Sequence, residues 1–64
     1  MMYHVQYCIN GKFETVGTFN NIDKALSFIK YNSICHDVDI NLVRIAHRGM
    51  VITINENSLK KVFK

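Results

Sequence analysis

Residues 3–19, YHVQYCINGKFETVGTF, hold two alternating runs split by Asn10-Gly11, and how the runs pair decides the fold. In the first run Tyr3, Val5, Tyr7 and Ile9 share one parity, while His4, Gln6 and Cys8 share the other. Successive side chains on a strand point to opposite faces, so this pattern is a strand with one buried side. The second run, residues 12–19, places Phe13, Thr15, Gly17 and Phe19 on one parity. Together the runs read as a hairpin.

Two registers compete for that hairpin. Asn-Gly favours a two-residue turn with positive φ at both positions, which pairs Ile9 with Lys12. Carried through, that register groups Tyr3, Val5 and Tyr7 with Lys12 and Glu14 and sends Phe13 and Phe19 to the opposite face. A slip of one residue reverses every side chain. An odd loop, with Gly11 in a bulge position, instead joins Tyr3, Val5 and Tyr7 to Phe13 and Phe19. Burying two phenylalanines outweighs a turn preference, so the odd loop is expected, with Phe13 on the core face.

Outward from the hairpin, NNIDKALSFIKYN (residues 20–32) changes period. Ile22, Ala25, Leu26 and Ile29 form a helical stripe, with Phe28 at its edge and Tyr31 almost opposite. Asn20 or Asn21 supplies the N-cap, and Asp23 sits in the first turn, where the helix dipole favours a negative charge. The pattern fades at Asn32-Ser33, where the helix is expected to end. Residues 38–47, VDINLVRIAH, read as a third strand whose apolar phase shifts between Leu42 and Val43, as a bulge or burial on both faces would produce. Arg48-Gly49 then makes a two-residue turn into MVITI (residues 50–54), pairing His47 with Met50 and Ile45 with Ile52. That register collects Val43, Ile45, Met50, Ile52 and Ile54 on one face. Behind Asn55 or Asn57, the tail carries Leu59, Val62 and Phe63 at helical spacing, a short amphipathic helix.

The fold class is therefore α+β, in the order β-β-α-β-β-α. It is a four-stranded antiparallel sheet with one helix packed on one face and a short C-terminal helix. Strand order stays open. Sixty-four residues make a single domain, 1–64, close to the lower limit for independent folding. A 48% hydrophobic share with only 20% charged residues excludes disorder and supplies a core. No apolar run reaches the roughly 20 residues a membrane span requires, so no membrane partner is expected. The start MMYHVQYCIN lacks a basic stretch followed by a long apolar one, so no signal peptide is expected. Two cysteines, Cys8 and Cys35, are too few for a disulfide framework, and a reduced, cytoplasmic setting follows.

The densest cluster of reactive groups is Cys35, His36, Asp37 and Asp39, inside NSICHDVDIN (residues 32–41). A nucleophilic cysteine needs a base in hydrogen-bond reach and a third group to orient it, which sequence neighbours on an extended segment rarely provide. A zinc site needs about four ligands at recognised spacings. Cys8, His4 or His47 would have to complete it, and no such spacing occurs. The stretch is read as the connection between helix and strand, with Cys35 as a small apolar plug. No enzyme activity, cofactor or metal is expected.

Two surfaces remain. Val16, Leu42, Ala46 and Val51 fall on the sheet face away from the helix, among His4, Gln6, Thr18 and Thr53, while Phe28 and Tyr31 project from the helix flank. Clustered exposed apolar groups mark interaction surfaces, and a homodimer would add the core that a short chain lacks. Phe28, Tyr31, Val16, Leu42 and Val51 are thus the protein-contact candidates. The second surface is basic: Arg44, His47 and Arg48 near the second hairpin, with Lys60, Lys61 and Lys64 in the tail. Such a patch suits nucleic-acid phosphates, but the aromatics a single-strand binder needs, Tyr3, Tyr7 and Phe13, fall on the expected core face. The first expectation is a small, self-associating protein-binding module or inhibitor; accessory factors of phages and mobile elements are one such class. Nucleic-acid binding through the basic patch is the alternative.

Overall fold

A computed structural model of the chain describes residues 2–36 and 38–55. Strands β1 (Tyr3–Ile9) and β2 (Lys12–Phe19) are followed by helix α1 (Ile22–Cys35), a 3-10 turn (Ile40–Leu42), and strands β3 (Val43–His47) and β4 (Met50–Thr53). The sheet is antiparallel throughout, in the order β2-β1-β3-β4. Because β2 and β3 both run antiparallel to β1 on its two sides, they are parallel to each other. No hairpin can link them, and α1 makes the required crossover.

The turn between β1 and β2 is the two-residue one, not the odd loop. Asn10 and Gly11 have φ of 52° and 80°, and Ile9 pairs with Lys12. The burial conflict is solved five residues later. Gln6 pairs with Thr15 but Val5 pairs with Gly17, so Val16 is an extra residue and β2 is bulged there. Before the bulge, Phe13 lies opposite Cys8 on the face away from the helix; after it, Phe19 lies opposite Tyr3 on the helix face. The turn preference and the burial preference are both satisfied, and of the four residues Phe13, Thr15, Gly17 and Phe19 the first two leave the core side. Gly17 makes room at this point: a Cβ there would come within 3.0 Å of the Phe19 ring, which packs on Phe28 at 5.2 Å.

In α1, the Asn21 side chain caps the first turn by accepting from the Lys24 N–H at 2.8 Å. Ala25 and Ile29 are its buried residues. The helix runs past Asn32-Ser33 because those side chains bond backwards: Asn32 Nδ2 donates to the Phe28 carbonyl and Ser33 Oγ to the Lys30 carbonyl, each at 2.8 Å. Side chains that satisfy carbonyls of the preceding turn compete less with the helix than ones that cap it. The expected stop is therefore passed by three residues, and Cys35 is exposed on the last turn rather than plugging the interior.

The segment before β3 is not extended. Asp39 accepts from the Asn41 N–H through its carboxylate and from the Leu42 N–H through its carbonyl, both at 2.9 Å. That turn absorbs the phase shift seen at Leu42-Val43, and β3 starts only at Val43. The second hairpin matches expectation, with His47 opposite Met50, Ile45 opposite Ile52, and positive φ at Arg48 and Gly49. The C-terminal helix expected around Leu59, Val62 and Phe63 lies outside the described residues.

The core joins Val5, Ala25, Ile29, Val43, Ile45 and Ile54, with Tyr3, Tyr7, Phe19, Leu26, Phe28 and Ile52 packed around it. One polar atom is out of place there. The Tyr7 hydroxyl is buried with no hydrogen-bond partner among the described residues, and desolvation raises its pKa above the usual 10.0. Tyr7→Phe removes the orphan and keeps the ring, so it is expected to stabilise the fold by about 1 kcal/mol. A urea titration checks this; a lower midpoint for the variant would mean the hydroxyl has a partner after all.

Candidate functional site

The two faces of the sheet are unlike. The helix-facing side carries the core, with Lys12 and Glu14 exposed at its hairpin end. Its buried polar residue is His47, which stacks on Tyr3 at 3.9 Å and 10° and donates from Nδ1 to the Met2 carbonyl at 3.0 Å. A carbonyl only accepts, so the proton on that nitrogen is fixed by its partner. His47 therefore anchors the start of β1 and does not stand in a basic surface patch. Arg44, three residues earlier, is on the other face, and Arg48 is exposed in the turn. The three basic candidates do not converge. Lys60, Lys61 and Lys64 lie outside the described residues.

The outer face is built in cross-strand rows. One runs Thr15, Gln6, Arg44, Thr53; the next runs Thr18, His4, Ala46, Val51; Phe13 and Cys8 flank the first. Gln6 ties its row together, donating to Thr15 Oγ1 at 3.3 Å and accepting from Arg44 Nε at 2.8 Å. Arg44 reaches diagonally across β1 and lays its guanidinium 3.8 Å from the centre of the Phe13 ring, a cation–π contact. His4 Nδ1 and Thr18 Oγ1 are 3.1 Å apart in the second row. None of these ten positions carries a carboxylate.

A second exposed surface is the outer ridge of α1. Tyr31 is 62% exposed and Ile34, one turn on, is 71% exposed; residues three apart are neighbours on a helix surface. The His36 ring meets the Tyr31 ring edge-on at 6.2 Å. Of the protein-contact candidates, Tyr31, Val16, Leu42 and Val51 are exposed, whereas Phe28 is half-buried against Phe19 and the core. Ile34 belongs beside Tyr31 but was hidden from sequence reading, since the helix was expected to stop before it. Phe13 and Gln6 were missed for a different reason, the assignment of Phe13 to the core.

The reactive groups are scattered. His4 and Cys8 are on the outer face, His47 is on the inner face, and Cys35 ends α1, so the sheet itself separates the ligands a joint site would need. Asp39 is occupied in its turn. Among the described residues no group of three or more His, Cys, Asp or Glu is placed to hold a metal ion, and no helix is long and apolar enough to cross a membrane. Comparison with protein-family models, with curated proteins and with solved structures finds no match.

Proposed function

We propose that this chain is a small binding module without enzymatic activity that acts by covering a surface of a protein partner, in the manner of an inhibitor or accessory factor, and that it self-associates. The observation that carries the reading is the ridge of Tyr31 and Ile34, two large side chains held out by a rigid helix on the side roughly opposite Ala25 and Ile29. An isoleucine and a tyrosine this exposed gain most when another surface removes them from water, at about 25 cal/mol per Å² of apolar area. Helical anchors of this kind suit a groove on a partner.

Sedimentation of the purified chain at micromolar concentration tests self-association. A species heavier than 7.4 kDa is expected, reverting to 7.4 kDa in the double variant Tyr31→Ser/Ile34→Ser. Affinity capture after nuclease treatment tests the partner: the wild-type chain retains a protein that the double variant loses. A 7.4 kDa species throughout, together with capture indifferent to the variant, removes the reading.

A further inference from the structure

We infer that the outer face of the sheet binds single-stranded nucleic acid, with the Phe13–Arg44 pair as the platform on which a base stacks and Arg44 as the contact to phosphate. This surface is separate from the helix ridge and the inference does not depend on it.

The chemistry of the face selects the ligand. It presents one fixed cation, an exposed aromatic ring, an amide, an imidazole and three hydroxyls across flat cross-strand rows, with no carboxylate among them. An unpaired strand matches both halves of that description, since its phosphates are anionic and its bases offer π-faces. In a duplex the base faces are already stacked inside the helix and cannot reach Phe13. A second copy laid face to face would bring cations against a surface with no carboxylate to receive them. The platform is also preorganised. Gln6 engages only the Nε–H of a guanidinium with five N–H donors, and Phe13 sets the plane of that group. Little side-chain freedom is left to lose on binding. The helix-facing residues cannot substitute, because Tyr3 and Tyr7, the aromatics of the hairpin's first strand, pack against the core.

Fluorescence anisotropy with labelled oligo-dT and oligo-U of about 16 nucleotides, against a duplex of the same length, tests the inference and separates DNA from RNA. Binding of one or both single strands is expected below about 100 µM protein. Phe13→Ala should weaken it by about tenfold or more, the loss typical of removing one stacking platform. Arg44→Ala should weaken it and also flatten the dependence of log affinity on log salt by about 0.7. Arg44→Lys should keep that slope while losing affinity, because lysine retains the charge but not the planar group. Tyr31→Ser/Ile34→Ser should bind as the wild type does, so failure here and failure of the helix ridge are told apart. No anisotropy change, equal binding by Phe13→Ala, or preference for the duplex would overturn the inference. So would sedimentation in which Phe13→Ala converts a heavier species to 7.4 kDa, since the face would then belong to a second copy.

Discussion

Phe19→Ala is expected to cost about 3–5 kcal/mol, the range for deleting a packed phenylalanine, while Phe13→Ala costs under about 1 kcal/mol. The two residues sit in one strand, share a parity in the sequence and differ only in which side of the bulge they occupy. Phe19 fills the space above Gly17 and against Phe28. Phe13 is exposed and loses little beyond its contact with Arg44, a contact worth about 0.5–1 kcal/mol at such a site. Denaturant unfolding of both variants gives the comparison directly. Equal losses would mean that both rings face the helix and that Val16 is not the extra residue.

The second large effect is at Ile45. It is fully buried in β3, between β1 and β4, opposite Val5 on one side and Ile52 on the other. Ile45→Ala is expected to cost about 2–5 kcal/mol, and Ile45→Val about 0.5–1.5 kcal/mol. A domain of this length has a total stability of only about 3–10 kcal/mol. The alanine variant should therefore be largely unfolded well below the melting temperature of the wild type, and the valine variant folded with a lowered midpoint. Circular dichroism melts distinguish these outcomes; a folded Ile45→Ala with a near-normal midpoint would place the core elsewhere.

What the sequence made legible was set by how local each signal is. The Asn21 cap, the Ile22–Ile29 stripe and the Arg48-Gly49 turn rest on neighbours, and each is where local chemistry puts it. The first hairpin was ambiguous because two valid signals implied different registers. Neither contains the information that one extra residue reconciles them, since Val16 looks like any strand valine. The end of α1 was misread because Asn32 and Ser33 have two uses, capping or bonding back to carbonyls, and only the structure tells which applies. Residues 38–42 have the alternation of a strand, yet Asp39 closes a turn around Asn41 and Leu42. The outer face inherited the first of these ambiguities. With Phe13 assigned inward, Arg44 was grouped with His47 and Arg48 in a basic patch rather than read as half of a stacked pair.

The odd valine in β2 also bears on how this chain tolerates change. Its edge strand already holds one residue more than its neighbour can match, so losing one position between 12 and 16 would close the ladder and leave Tyr3 facing Phe19. The same loss in β1 would displace its pairing with both flanking strands at once. Length is thus negotiable at one margin of the domain and fixed at its centre, and single-codon deletions surviving in descendants of this gene should collect there.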